Sequence, residues 1–155
     1  MPKVVVTAAK GLHQVAGNGS IEGHRRAIKN VAASTALSVD DSGKLIVIAA
    51  HSVTITLPTS SGNAGVQYDF IVGASLSSGA SVVRTFTADG SQQFNGGYIG
   101  GDNTSANEAA GSNEDKITFG TSAALGSRVS VVCDGTDWFI TSGYADAIAN
   151  VAFST

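Results

Sequence analysis

From Thr35 onward the chain alternates apolar and polar positions with a period of two, broken at short intervals by clusters of Gly, Ser, Asn and Asp. That pattern belongs to short strands with one face turned toward a core, and it predicts an all-β domain with little helix. Thr35, Leu37 and Val39 alternate with small or polar partners, and Asp40-Asp41-Ser42-Gly43 supplies a turn into residues 44–50, so a hairpin is the simplest connection there. Apolar residues run continuously through 44–50, as in a central strand, whereas Val53, Ile55 and Leu57 alternate with Thr54 and Thr56, as in a half-exposed one. Pro58 cannot donate to a ladder, which ends that strand and makes 58–65 a loop.

Residues 66–74 carry Tyr68, Phe70 and Val72 at period two, and 81–88 set Val82, Arg84 and Phe86 against Val83, Thr85 and Thr87. Asp89-Gly90 reads as a turn, after which 92–95 make a short strand closing onto the preceding one. Further on, 116–119 and 128–133 are strands, and Asp134-Gly135-Thr136-Asp137 turns the latter into 138–141. In that last arm Trp138 and Ile140 share one face while Phe139 and Thr141 share the other. Phe70, Phe86, Trp138 and Ile140 are the expected core anchors.

Three stretches depart from this pattern. Lys3 to Ala8 predicts a strand, but 11–23 hold four glycines and little periodicity, so the N-terminus reads as an extended arm; one or two helical turns are expected over 22–30, without a convincing cap. Residues 95–115 offer almost nothing to bury beyond Tyr98 and Ile99 and read as a long loop, with Gly96 to Gly101 a flexible turn. Such a loop is either a contact surface or merely mobile. The C-terminal stretch holds Ile148, Val151 and Phe153, to be covered by a neighbouring subunit or by the parent sheet. The organisation expected is therefore an arm at 1–33, a single-domain β-sandwich or β-barrel at 34–145, and a tail at 146–155, with no internal repeat.

Composition sharpens the picture. Charged residues are 14% of the chain, well below the roughly 25% of ordinary domains, which hints at surface hidden in an assembly. The longest apolar runs fall far short of the roughly 20 residues of a membrane helix, and Met1-Pro2-Lys3 opens no signal-peptide pattern, so synthesis in a cytoplasm is expected. Residues 1–30 hold Lys3, Lys10, Arg25, Arg26 and Lys29 against Glu22, a net of +4 in a chain of net −3, leaving −7 on the remainder. A basic arm points to an acidic partner, and with a pI near 5.4 and no basic run beyond Arg25-Arg26 that partner is protein rather than nucleic acid.

Chemistry is sparsely signalled. His13, His24 and His51 lie in dissimilar contexts, no Gly-x-Ser-x-Gly elbow is present, and no histidine pair has metal-ligand spacing. Cys133 is the single cysteine, which excludes an internal disulfide; its setting among valines reads as apolar packing. Asp102, Asn103, Glu108, Glu114 and Asp115 supply oxygen ligands of the kind calcium prefers, but their spacing is not that of an EF-hand, and a solvated acidic loop is the simpler reading. Gly96-Gly97-Tyr98-Ile99-Gly100-Gly101 lacks the Lys-Ser/Thr and the helix of a phosphate cradle. No enzyme activity and no cofactor are expected.

The run Gly126-Ser127-Arg128-Val129-Ser130-Val131-Val132-Cys133-Asp134-Gly135-Thr136-Asp137-Trp138-Phe139-Ile140-Thr141-Ser142-Gly143 resembles the closing hairpin of small virion proteins of tailed bacteriophages. So does the section before it, the strand at 45–49 followed by Val53-Thr54-Ile55-Thr56-Leu57-Pro58 and Tyr68-Asp69-Phe70-Ile71-Val72. The resemblance covers about residues 35–145 and leaves out the arm. It implies binding without chemistry, either as a capsid decoration (cement) protein or as a tail or fibre module. A short single domain with a basic arm favours decoration: a homotrimer on the capsid exterior of the virion, with the major capsid protein as partner. Lys3, Lys10, Arg25, Arg26 and Lys29 would meet acidic shell surface, and Val4, Val5 and Val6 would add a strand to a sheet edge. In the alternative, a receptor- or carbohydrate-binding tail module, Tyr98, Trp138 or Tyr144 would stack on sugars beside the 95–115 loop.

Overall fold

The computed structural model describes residues 3–7, 11–15, 26–86, 92–101 and 108–155, with side chains described from residue 26 onward except at 108–112. The strands are β1 (Lys3–Thr7), β2 (Gly11–Val15), β3 (Ile28–Val31), β4 (Thr35–Ala36), β5 (Leu45–Ile48), β6 (Thr54–Thr56), β7 (Gln67–Val72), β8 (Ser81–Arg84), β9 (Phe94–Gly100), β10 (Glu108–Glu114), β11 (Lys116–Phe119), β12 (Arg128–Cys133), β13 (Trp138–Ala145) and β14 (Val151–Ser154). Among the described residues the only helical pieces are 3-10 turns at Val39–Asp41 and Ile148–Asn150, so the fold is all-β, as the period-two pattern requires.

Two sheets face each other, one of seven strands ordered β10-β9-β13-β12-β7-β5-β3 and one of five ordered β14-β11-β8-β6-β4, while β1 and β2 form a separate antiparallel pair. From β3 to β8 successive strands alternate between the two large sheets, with β3, β5 and β7 mutually parallel in one and β4, β6 and β8 mutually parallel in the other. The chain thus winds through three stacked layers, each crossing from one sheet to the other and back. Two further layers, β11 with β12 and β14 with β13, continue the stack with antiparallel pairing. One corner of this stack is laddered in every layer: Leu37 N–H donates to Thr56 O at 2.9 Å, Leu57 N–H to Arg84 O at 2.9 Å, Thr85 N–H to Asp115 O at 3.0 Å and Asp115 N–H to Ser154 O at 3.0 Å.

The hairpin expected between the strand at Thr35 and residues 44–50 is therefore absent: β4 and β5 lie in different sheets, and the Asp40-Asp41-Ser42-Gly43 turn is a corner between layers. Parallel neighbours need a crossover, and here each crossover is itself a strand of the opposite sheet. β5 is internal to its sheet, but Ile46 and Ile48 are fully buried while Leu45 and Val47 are half-buried, so its continuous apolar run serves two faces.

The core lies between the sheets, with Trp138, Tyr68, Phe70, Phe94 and Phe119 wholly enclosed and the Trp138 ring tilted against Tyr68 at 5.7 Å between centroids. Of the expected anchors, Phe70 and Trp138 are fully buried and Ile140 is half-buried against the core. Phe86 is a correction, since it stands 55% exposed. Val83 pairs with Ile55 and Ile117, both fully buried, which makes Ser81, Val83 and Thr85 the inward set of that strand and turns the opposite parity outward.

Three segment boundaries also change. Residues 28–31 are not arm or helical turn but β3, the edge of the seven-stranded sheet, so the body begins before residue 33. Only Val31 of β3 is buried, which left no apolar period to read. The tail at 146–155 belongs to the body as well: β14 pairs with β11, Val151 is buried and the Phe153 ring lies 5.7 Å from Tyr98. Within 95–115, β9 and β10 form an antiparallel pair, and β9 runs parallel beside β13 rather than back onto β8. Its glycines mark close approach rather than looseness, since a Cβ on Gly96 (φ +116°) would sit 3.0 Å from Ile140 O, and one on Gly143 opposite would sit 2.4 Å from Tyr98 Cβ. Residues 102–107 lie outside the described residues.

Candidate interaction surface

The basic residues assigned to the arm separate into two groups. Arg26 lies along the body, its guanidinium donating to Gly43 O at 3.0 Å, to Lys44 O at 3.2 Å and to the Asp69 carboxylate. Lys29 Nζ reaches Asp41 Oδ2 at 2.6 Å, while Lys44 Nζ holds Asp41 Oδ1 at 2.8 Å. Asp41 is 5% exposed, and burial acts to raise its pKa, but hydrogen bonds from Lys29 and Lys44 with Ser38 N–H outweigh it and lower the pKa from 3.8 to about 2. Arg26 thus joins the start of β3 to the second and third layers and Lys29 joins β3 to the corner before β5, so the structure places both on the body with partners within the chain rather than on a separate arm. Lys10 and Arg25 lie outside the described residues. Lys3, Val4, Val5 and Val6 are in β1, which pairs with β2 through Lys3 with Val15, Val4 with Gln14, Val5 with His13 and Val6 with Leu12.

A different surface gathers the exposed apolar groups. Among the described residues seven large hydrophobic side chains are exposed, and four of them (Ile28, Ile99, Phe139 and Tyr144) lie on the outer face of the seven-stranded sheet. The register aligns Ile99, Tyr144, Arg128, Ile71 and Val47 in one row across five strands. Beside it Phe139 pairs with Val132, and Ile28 with Leu45. Arg128 lies over the Tyr144 ring at 5.7 Å, a cation–π arrangement that pre-orders both side chains, and no carboxylate pairs with it among the described residues. Among the side chains described on this face the other charge, Asp69, is paired with Arg26.

The outer face of the five-stranded sheet has a contrasting make-up, with Thr54, Thr56, Val82, Arg84, Lys116 and Thr118 at its outward positions. It carries no exposed large apolar group beyond Phe86, just past the end of β8. Tyrosine, isoleucine, phenylalanine and a free arginine on a charge-poor patch are what protein-binding surfaces concentrate, and threonine-rich strand faces are ordinary solvent faces. Periodicity pointed to Phe139 as lying opposite Trp138, but the row joining Ile99 to Tyr144 and Arg128 depends on β9 lying beside β13, for which no local signal exists.

The remaining candidates lose their basis or stay apart. Tyr98 and Trp138 are buried, so neither can stack on a sugar; Tyr144 alone of the three is exposed. The Cys133 thiol is buried, donates to Ser60 O at 3.5 Å and is pushed up in pKa by burial, which makes it a packing group. His51 is exposed at a layer corner beside Ser52, while His24, Asp102 and Asn103 lie outside the described residues. Glu114 and Asp115 close β10 and open the way to β11 rather than framing a loop, and among the described residues no three His, Cys, Asp or Glu side chains gather as a metal site. No family model, no curated protein and no solved structure matches the chain.

Proposed function

We propose that this chain is a non-enzymatic decoration protein of a phage capsid, docking on the outside of the shell through the outer face of its seven-stranded sheet. The observation that carries the docking assignment is the ordered Tyr144–Arg128 pair within an apolar row on a face otherwise poor in charge. A surface carried on hydrogen-bonded strands needs little ordering on binding, and the guanidinium, unpaired among the described residues, selects a partner that presents a carboxylate. The phage setting rests on the resemblance of residues 35–145 to small virion proteins. A chain that binds only the assembled shell stabilises it by mass action, to an extent set by affinity and number of sites.

Shells assembled without this chain and incubated with it should retain it on sedimentation. Arg128→Glu, with its far-ultraviolet spectrum unchanged, should lower occupancy at limiting concentration about tenfold or more. Retention of Arg128→Glu and Tyr144→Ala at the parent level would remove the docking assignment, and failure of the parent chain to bind shells would remove the reading altogether.

A further inference from the structure

The stack of layers ends differently at its two extremities. At one, the β9–β10 pair extends the seven-stranded sheet beyond β13, and β10 approaches β14 of the other sheet. At the other, β3 and β4 are edge strands, and nothing pairs with their outer edges among the described residues. β4 has only two residues, but β3 offers four in regular parallel pairing. Leu45 N–H donates to Ala27 O and Ala49 N–H to Val31 O, both at 2.9 Å, so alternate residues of β3 face β5. The amides and carbonyls of Ile28 and Asn30 consequently point away from the sheet. Ile28 beside them is 63% exposed.

Edge strands ordinarily carry a deterrent, and an inward-pointing lysine is one, because an added strand would bury its charge. Lys29 stands at that position, opposite buried Ile46, but Asp41 already neutralises it. Arg26, at the entry to β3, is likewise engaged by Asp69. Nothing described guards this edge, and the terminal layer of a stacked fold requires cover.

Among the described residues the two-stranded sheet is open at its edges as well. β1 pairs only with β2, and a two-stranded sheet alone is marginal in water. Its sequence through Val4-Val5-Val6 is continuously apolar, the composition common in strands that parallel sheets cover on both faces. Among the described residues β1 and β3 do not pair within one copy, and the outer edge of each stays open.

We propose that β1 of one copy adds to the outer edge of β3 of a neighbouring copy, so that copies join head to tail by strand exchange. Donor and acceptor are different surfaces of one chain, so each copy gives one strand and receives one; a rotation that closes yields a ring. The ten residues at 16–25 set the reach between β2 and the body at no more than about 35 Å. This inference does not depend on the capsid reading.

The test compares the whole chain with one lacking residues 1–15, by size-exclusion chromatography with light scattering. The whole chain should run as an oligomer and the shortened one as a folded monomer. A mixture of a Val5→Cys chain and a separately tagged Asn30→Cys chain should form a disulfide between the two tags on mild oxidation, because mid-strand positions on paired strands lie about 5 Å apart. A monomeric whole chain, a shortened chain that keeps the oligomer's mass, or an oligomer without the mixed disulfide overturns the proposal. So does a Val5→Cys/Asn30→Cys double variant that closes its disulfide within one monomer, since β3 then receives its own β1.

Discussion

The parallel layers, β3 to β8, and the reversed ones, β9 to β14, are built on the same pair of sheets but are held differently. In the reversed part, β12 and β13 meet through the four-residue turn Asp134–Asp137, where Asp134 Oδ1 accepts from Thr136 and Asp137 N–H at 2.7 and 2.8 Å, so contacts local in sequence hold the register. In the parallel part every neighbour arrives after a passage through the other sheet. Ion pairs at the corners fasten these passages: Arg26 to Asp69, and Lys29 with Lys44 to the single Asp41. Where sequence-local turns cannot fix a register, charge and hydrogen bonding at the corners do so.

Substitutions measure that contrast. Trp138→Ala should have the largest effect: the indole is fully buried at the start of β13 against Tyr68, and its loss should cost about 3–5 kcal/mol in urea unfolding. A cost below about 1 kcal/mol would mean that the reversed part does not anchor the core. Asp41→Asn comes next, at roughly 2 kcal/mol at neutral pH, because it strips the shared partner from Lys29 and Lys44.

The pH dependence of that difference has a definite sign. The folded Asp41 pKa, about 2, lies below its ordinary 3.8, so its contribution is complete above that ordinary value and is lost as pH falls toward 2. The gap between parent and Asp41→Asn should therefore narrow as acid is added through this window, and a gap constant with pH would refute the corner clamp. Arg26→Ala removes a more exposed pair, with side chains 44% and 32% accessible, and should cost about 0.5 kcal/mol, less in high salt. Phe86→Ala should lie within about 0.5 kcal/mol of the parent despite deleting a whole ring; a core-sized loss would return Phe86 to the interior.

Much of the strand content was legible because half-burial imposes period two. Ile55 and Leu57, Tyr68 and Phe70, and the β12–β13 hairpin all follow from alternation plus turn residues within a few positions of one another. β3 was not legible, because Ile28-Lys29-Asn30-Val31 buries one side chain and satisfies its lysine with an aspartate twelve residues on. β9 was not legible either: Gly96 and Gly97 look like a loop until β13 is laid against them. The candidate surface was visible only as separate residues: Tyr144 and Phe139 lie in the hairpin with Arg128, while Ile99 is contributed by the distant β9.

Local patterning thus determined that the chain would be all-β, where most strands would lie, and which side of most of them would face inward, since those depend on residues two apart. Tertiary structure alone decided that the first strands pair in parallel through alternating sheets, that Arg26 and Lys29 brace the body, and that one sheet presents an apolar, arginine-bearing face. Pairing between strands separated by a crossover is chosen by the total surface buried and the polar groups satisfied, and neither quantity is written in any short stretch of sequence.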